Sequence, residues 1–156
     1  MVSITKAKSE DMPTIKTLFS EYAASVAFDL SFQNFNRELS TLPGEYSLPN
    51  GCILVAREGS AIVGCVALRR LDEEVCEMKR LYVQPAFRGR GIGKKLAECV
   101  IRQASESGYR LMKLDTLASM VVAIHLYHSL GFSRIMPYRH NPIDGAVFMG
   151  LELGPA

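Results

Sequence analysis

A short glycine-rich turn in the second half of the chain has the residue types that bind a phosphate. Residues 88–93 read Arg-Gly-Arg-Gly-Ile-Gly, and Lys94 and Lys95 follow directly. Glycine lets the backbone adopt positive φ and approach an anion closely, and the first N–H groups of a helix have no partner within that helix. Because these N–H groups carry the positive end of the helix dipole, the turn predicts a pyrophosphate site.

Two known phosphate loops do not match this turn. A Walker A loop has four residues between its first glycine and a Gly-Lys pair that precedes Ser or Thr, whereas Gly89 and Gly93 enclose only three. A dinucleotide fingerprint has the spacing Gly-x-Gly-x-x-Gly, and here the third glycine comes one residue early. Two interpretations remain open, a phosphate turn of the form Arg-x-x-Gly-x-Gly and a helix start whose cations are solvated.

The composition limits the function classes. The chain has 156 residues, 48% of them hydrophobic, which predicts one domain over 1–156 with a substantial core. A net charge of +2 does not favour nucleic acid, and no stretch approaches the ~18 apolar residues of a membrane span. Since no apolar signal segment is present, the expected location is cytoplasmic. Reduced core residues are expected at Cys52, Cys65, Cys76 and Cys99.

Hydrophobic periodicity places the turn within an alternating series of strands and helices. The pattern predicts strands over 2–7, 52–57, 61–71, 75–83, 111–114, 132–136 and 146–153. It predicts helices over 9–28, with Ser9 as the cap, over 32–42, from 92 to Gly108, and over 119–130. In the strand 75–83, simple alternation puts residues 77, 79, 81 and 83 on one face. The expected fold class is α/β, a mixed and largely antiparallel seven-stranded sheet flanked by about four helices.

These motifs together resemble the GNAT superfamily of N-acetyltransferases, over nearly the whole chain. The most specific parts are Glu-Met-Lys-Arg-Leu-Tyr-Val-Gln-Pro at 77–85, the glycine turn, and Ala-Ile-His-Leu-Tyr-His-Ser-Leu-Gly-Phe at 123–132. The segments 32–35, 137–138 and 141–142 resemble a bacterial subgroup of the small-molecule and amino-acid type. The resemblance implies an enzyme that moves an acetyl group from acetyl-CoA to the primary amine of a small molecule, by direct attack in a ternary complex.

In the family, acetyl-CoA lies where two parallel central strands splay apart. The resemblance therefore implies that the backbone of Leu81 and Val83 hydrogen-bonds the pantetheine like an added strand, and that the turn holds the pyrophosphate. The Asn that many members carry near the start of the later helix is absent here, where Ser119 or the pair 115–116 stands instead. The implied cofactor-binding residues are Leu81, Tyr82, Val83, Arg88, Gly89, Arg90, Gly91, Ile92, Gly93 and Lys94.

The resemblance also implies acid–base roles. Glu77 has the position of a general base that takes the ammonium proton, often through water; the alternative is a solvated sheet residue paired with Lys79 or Arg69. Tyr127, four residues before Gly131, has the position of the acid that protonates the leaving thiolate. Its alternative is a core aromatic on the same helix.

The acceptor pocket is expected between the first helices and the late loop. Aromatic and cationic side chains in these segments favour a small amine that also carries a carboxylate, because Arg binds such a group bidentately. Arg80 is the candidate for that contact. The candidate substrate-binding residues are Phe28, Phe32, Gln33, Arg80, Tyr138 and Arg139.

Other functions stay open at this point. They are a non-catalytic acyl-CoA-binding regulatory module, a protein lysine or N-terminal acetyltransferase, and a phosphate- or RNA-binding domain that uses Arg-Gly-Arg-Gly. His125 and His128 lie three residues apart, but no third ligand has a recognisable spacing, so no metal site is expected. Because family members often form dimers, a homodimer is a further expectation.

Overall fold

A computed structural model describes residues 1–26 and 34–154 and confirms the predicted fold class. The described residues form one seven-stranded sheet in the order β1-β2-β3-β4-β5-β7-β6, in which only β4 and β5 pair in parallel. The strands are β1 (Val2–Lys6), β2 (Cys52–Glu58), β3 (Ala61–Arg70), β4 (Val75–Val83), β5 (Leu111–Leu117), β6 (Ser133–Arg134) and β7 (Ala146–Glu152). The α-helices are α1 (Met12–Ser25), α2 (Phe35–Thr41), α3 (Ile92–Glu106) and α4 (Val121–Ser129).

The differences from the predicted elements lie mainly at their ends. Ser9 does not cap the first helix, because a 3₁₀ turn over Ser9–Asp11 precedes α1. The carboxylate of Asp11 accepts a hydrogen bond from the Lys8 N–H at 2.8 Å and pairs with Arg57. β5 continues three residues beyond its predicted end, and β6 has only two residues. The predicted ends of the first two helices fall partly outside the described residues.

Two apolar clusters cover the two faces of the sheet. On one face α3 buries side chains at helical spacing, among them Leu96, Val100 and Ala104, each 0% exposed. On the other face α1 packs Ile15 and Phe19 against the strands. All four cysteines are free thiols, three of them buried and Cys99 half-buried, in agreement with the sequence expectation. None of the helices in the described part of the chain has both the length and the apolar character that crossing a bilayer requires.

A β-bulge in the middle of β4 changes which side chains share a face. Ala67 lies opposite Lys79 and Cys65 lies opposite Tyr82, so two residues of β4 oppose one residue of β3. Arg80 has a φ of +61°, which is unusual for a residue with a side chain. The predicted alternation is therefore wrong beyond Lys79, because the extra residue shifts the pattern by one. Leu81 packs on the α3 face, and Tyr82 joins the opposite face.

The bulge is followed by a separation of the two parallel strands. β4 pairs with β5 only from Val75, opposite Leu111, to Glu77, opposite Lys113. Both strands continue for several residues without pairing, to Val83 and to Leu117. Bulges bend a strand and increase its twist, which accounts for the divergence at this point. The splayed central strands that the resemblance implied are present.

Candidate active site

A small cavity of about 80 Å³ fills the gap between the diverging strands. We call it the splay cavity. Its apolar wall includes Met78, Leu114 and Tyr127, and its polar wall includes Lys79 and Asp115. Because the unpaired stretches of β4 and β5 form its sides, backbone groups of both strands lie along the opening. The cavity has room for a few small groups next to polar side chains.

A larger cleft of about 590 Å³ runs from the end of β4 past the glycine turn to the start of α4. We call it the glycine-loop cleft. It is continuous with the splay cavity, since Leu81, Met120 and Ala123 line both. Residues 81–83, 88–89 and 91–94 line the cleft, so the structure brings together all the predicted cofactor residues except Arg90.

The glycine turn places the start of α3 at this cleft. Gly91 precedes the helix with a φ of +75°, and Gly89 has a φ of +82°, a region that side chains rarely adopt. The first helical bond runs from the Lys95 N–H to the Gly91 carbonyl at 3.1 Å. The N–H groups at the start of the helix therefore have no helical acceptor and offer an anion site at the positive end of the dipole.

The two arginines of the turn have different surroundings. The Arg88 Nε donates to the Val83 carbonyl at 2.9 Å, and the guanidinium lies 5.5 Å from the centre of the Tyr82 ring. Arg88 thus contacts the carbonyl that the resemblance assigns to the pantetheine. Arg90 is 54% exposed and pairs with Glu58 at 3.3 Å.

Ser119, just before α4, and apolar side chains at the start of α4 line the cleft. Ser119 is therefore the one of the proposed replacements for asparagine that lies in the cleft, whereas Asp115 and Thr116 line the splay cavity. Val121 and Val122 also line the cleft and are 58% and 85% exposed. These valines give the outer part of the cleft an apolar wall.

Glu77 lies at the centre of an ionic cluster. Its carboxylate is 0% exposed, and Oε1 accepts a hydrogen bond from the Nε of Arg69 at 2.7 Å. Oε2 accepts a hydrogen bond from the Tyr138 hydroxyl and pairs with Arg139. We call these four residues the Glu77 cluster. The idea that Glu77 is solvated is wrong, whereas its pairing with Arg69 is present, because the two face each other across β3 and β4.

Burial shifts the pKa values of Tyr138 and Arg139, two members of the Glu77 cluster. It raises the pKa of Tyr138, so the phenol remains a hydrogen-bond donor to Glu77 at neutral pH. Burial and the neighbouring Arg69 charge lower the pKa of Arg139 to about 10. Arg139 also lies 3.9 Å from Asp115. Tyr138 therefore stays neutral and Arg139 stays charged near pH 7.

The guanidinium groups of the cluster line a third cavity, of about 560 Å³, which we call the cationic pocket. Its wall carries four cations and two carboxylates, namely Arg37, Arg69, Lys79, Arg139, Glu38 and Glu45. Lys79 lines both this pocket and the splay cavity. Burial, with the nearby Arg80 and Arg69 charges, lowers the pKa of Lys79 to about 7.

Arg80 lies in the splay cavity wall, but its guanidinium is already paired. It forms two hydrogen bonds to Glu38, at 2.9 Å and 2.8 Å, and is 4% exposed. Its guanidinium carbon also lies 5.7 Å from the Tyr22 ring centre and 5.2 Å from that of Phe35. These contacts hold the left-handed backbone of the bulge in place. The Arg80 guanidinium, which the sequence assigned to a substrate carboxylate, is therefore already bound by Glu38 and in contact with Tyr22.

Tyr127 is a buried aromatic that also lines the splay cavity. It packs edge-to-face on Phe132, with ring centres 5.7 Å apart, and it lines the splay cavity. Burial raises its pKa, so the hydroxyl is a neutral donor at neutral pH. A phenol in this place can protonate a leaving group inside the cavity.

Three of the predicted substrate-binding residues, Phe28, Phe32 and Gln33, lie outside the described residues. Sequence reasoning missed Glu38, which lines the pocket beside Arg69, because no local pattern marks it, and it gave no site role to Asn141, which lines the splay cavity. Among residues 1–26 and 34–154, no group of three or more His, Cys, Asp and Glu side chains is placed to hold a metal ion.

A family model described as acetyltransferase (GNAT) family matches residues 13–132. An uncharacterized N-acetyltransferase of Schizosaccharomyces pombe is 41% identical over 155 residues, which span 97% of this chain and 95% of that protein. An N-acetylaspartate synthetase of Danio rerio is 37% identical over 117 residues, which span 74% of this chain but 42% of that longer protein.

Solved structures show the same fold. A GNAT-family acetyltransferase from Staphylococcus aureus matches with a TM-score of 0.80 and 23% identity, over 99% of this chain and 100% of that chain. A putative acetyltransferase from Salmonella typhimurium, solved with its cofactor acetyl-CoA, matches with a TM-score of 0.72 and 24% identity, over 98% of this chain and 94% of that chain.

Proposed function

The chain belongs to the GNAT family of acetyltransferases and is an N-acetyltransferase, and from this premise we propose that it acetylates the primary amine of a small molecule that also carries a carboxylate. The observation that carries the proposal is the continuity of three features along β4. The glycine-loop cleft, the splay cavity and the cationic pocket follow one another, with Leu81 shared by the first two and Lys79 by the last two.

The cofactor fits the first two of these features. The pyrophosphate of acetyl-CoA would bind the N–H groups at the start of α3, where the dipole and Arg88 favour an anion. The pantetheine would follow the unpaired edge of β4 at Leu81 and Val83, with Arg88 giving up its bond to the Val83 carbonyl. This path brings the thioester to the splay cavity. The acetyl-CoA that accompanies the Salmonella structure supports the same cofactor here.

The reaction is attack of a neutral amine on the thioester carbonyl. The carbon–nitrogen bond forms, the carbon–sulfur bond breaks, the attacking nitrogen releases one proton to water, and the leaving thiolate receives one. Tyr127 is the donor we propose, because it lines the cavity and its hydroxyl is neutral at pH 7. Because burial raises its pKa, the phenol keeps its proton until negative charge develops on the sulfur, as a general acid must.

The acceptor would enter from the cationic pocket. Three arginines on its wall favour an anionic substrate, and guanidinium groups match a carboxylate in geometry. The name of the Danio rerio relative, N-acetylaspartate synthetase, refers to an acetylated amino acid and agrees with this class of acceptor. Because this chain spans less than half of that relative, the amino acid itself is not carried over.

Calorimetric titration of acetyl-CoA tests the cofactor site. We expect micromolar binding by the wild type and about 100-fold weaker binding by Gly91→Glu, a loss of about 2.7 kcal/mol. The matched control is Gly108→Glu, a glycine of similar positive φ at the opposite end of α3, with nothing within 4 Å of an added Cβ. Absence of wild-type binding, or equal losses in both variants, would contradict the cofactor site.

A thiol-release assay with a panel of amines tests the chemistry. Tyr127→Phe should lower kcat about 100-fold, within the range for general acids, with acetyl-CoA affinity unchanged. Tyr109→Phe is the control, because its hydroxyl donates to the Asn50 carbonyl, away from the cavity. A kcat within threefold of wild type would make Tyr127 a core aromatic only. Cofactor binding without turnover of any amine would favour the regulatory-module alternative.

A further inference from the structure

The environment of Glu77 does not suit a general base. A base needs a lone pair that faces the amine, but Oε1 is bonded to Arg69 and Oε2 to Tyr138 and Arg139. Protonating the carboxylate would also leave two guanidinium groups without their shared counter-charge, at a cost of several kcal/mol for buried pairs. Glu77 is therefore placed to hold other groups.

The groups that Glu77 holds are incompletely paired and face the cationic pocket. Arg69 uses Nε for Glu77 and Nη1 for Glu45, a carboxylate that is itself 72% exposed. Arg139 uses Nη2 for Glu77 and for the Tyr138 hydroxyl at 3.3 Å, and its buried Nε has no hydrogen-bond partner in the described residues. Both guanidinium groups line the pocket. An unsatisfied buried N–H of a charged group favours an added acceptor.

Of the two carboxylates on the wall of this pocket, Glu45 pairs with Arg69, and neither pairs with Arg139 in the described residues. Glu38 is bound through both oxygens to Arg80, and Glu45 lies at the exposed rim with Arg69. The pocket wall thus carries an excess of positive charge, which favours a carboxylate. Lys79 marks the boundary with the splay cavity, so a molecule held at the arginines extends towards the place of the thioester.

We propose that Arg69 and Arg139 are the receptor for the acceptor's carboxylate, and that Glu77 is a positioning residue that fixes both guanidinium groups. This proposal rests on the proposed function, since it names the residues that select the acceptor. It also replaces the sequence assignment of the carboxylate to Arg80, whose guanidinium Glu38 already binds. Tyr138 also positions Glu77, because its hydroxyl donates a hydrogen bond to Oε2.

Steady-state kinetics with paired substrates test the receptor. Each pair is an amino acid and the amine that has hydrogen in place of its carboxylate. For Arg139→Met we expect kcat/KM to fall about 100-fold for the amino acid, mainly through KM, and to stay within threefold for the amine. The deaminated acid should inhibit the wild type competitively with respect to the amino acid, and the variant about 100-fold more weakly. The control is Arg134→Met, because Arg134 is exposed on β6.

Two variants at Glu77 separate positioning from base catalysis. Glu77→Gln keeps the volume of the side chain, and we expect the same selective rise in KM for the amino acid, with the acidic limb of the kcat profile against pH unchanged. Glu77→Asp keeps the charge at a shorter reach and should recover part of the affinity. A base at this position predicts instead that kcat falls equally for amino acid and amine and that the acidic limb disappears.

The outcomes distinguish this proposal from the proposed function. Acetyl-CoA titration of every variant shows whether the fold and the cofactor site are intact. Equal losses on amino acids and amines in Arg139→Met and Arg69→Met would overturn the receptor and leave the acetyltransferase in place. A wild type that binds acetyl-CoA but acetylates no amine would overturn both.

Discussion

The glycine-loop cleft and the Glu77 cluster lie along one strand, β4, but they are built in different ways. The phosphate side of the cleft is formed by main-chain groups, namely the glycine turn, the start of α3 and the unpaired strand edge, and these residues fall within the short stretch 81–94. The cluster is formed by charged side chains from distant segments, because Tyr138 and Glu77 are 61 residues apart. One region uses backbone geometry, and the other uses buried charge.

This difference separates the energetic roles of the two regions. Exposed cations near the cleft add little to folding and remain available to a ligand. Charges in the cluster are buried, so removal of one partner leaves the others without compensation. We therefore expect substitutions in the cluster to affect both stability and acceptor binding, and substitutions in the cleft to affect mainly cofactor binding.

The largest expected effect on stability is that of Glu77→Ala. It leaves Arg69 and Arg139 close together without their common carboxylate, and breaking buried pairs in this way costs about 3–5 kcal/mol. Urea unfolding measures the change in the free energy of unfolding. Glu73→Ala, at an exposed turn before β4, is the control and should change it by less than about 0.5 kcal/mol. A loss below about 1 kcal/mol in Glu77→Ala would remove the distinction between the two regions.

A smaller and pH-dependent effect on the free energy of unfolding is expected at Lys79, which lines both the splay cavity and the cationic pocket. Its pKa is lowered to about 7 in the folded protein and is about 10.4 in an unfolded chain. Between these values the unfolded chain binds the extra proton, so the contribution of Lys79 to the free energy of unfolding rises with pH. This contribution of Lys79 to stability is lost as the pH falls towards 7.

Lys79→Met should abolish this pH dependence. Relative to the variant, the wild type should gain about 3 kcal/mol between pH 7 and pH 9.5, from ~1.36 kcal/mol per pKa unit. Arg69 and Arg80 lower the pKa of Lys79, and Asp115 and Glu38 raise it. Chemical unfolding of both proteins at the two pH values measures the difference. Parallel changes in the two proteins would show that Lys79 is protonated throughout this range.

The same contrast explains how much the sequence could predict. The order of elements and the glycine turn were predictable, since periodicity and positive-φ glycines such as Gly91 and Gly108 are local signals. The bulge at Arg80 was not predictable, because no local sequence signal marks the extra residue that interrupts the alternation of side chains along β4. The pairing of Arg69 with Glu77 follows from hairpin register, whereas Arg139 approaches Glu77 only through the path of the late loop, for which no short-range pattern exists.

Two glycines of the turn predict opposite changes in stability. Gly91 has a φ of +75° and nothing within 4 Å of an added Cβ, so Gly91→Ala should cost about 1 kcal/mol through backbone strain alone. Gly93 has ordinary helical geometry, and its nearest neighbour would be a Val83 methyl at 3.8 Å, so Gly93→Ala should stabilise α3 by about 0.5 kcal/mol. Thermal unfolding of both variants measures the signs. Equal signs would show that the helix does not begin at Ile92.

The smallest effect is expected at Arg90, and it tests the separation of folding from binding within the cleft. Arg90 and Glu58 are both partly exposed, so Arg90→Ala should change the free energy of unfolding by less than about 1 kcal/mol. Because Arg90 does not line the cleft and Arg88 does, acetyl-CoA affinity should stay within about threefold in Arg90→Ala and fall about tenfold in Arg88→Ala. Calorimetry at two salt concentrations measures both. Equal losses would mean that Arg90 leaves Glu58 for the phosphates, and the cleft would then use a charge that the fold also uses.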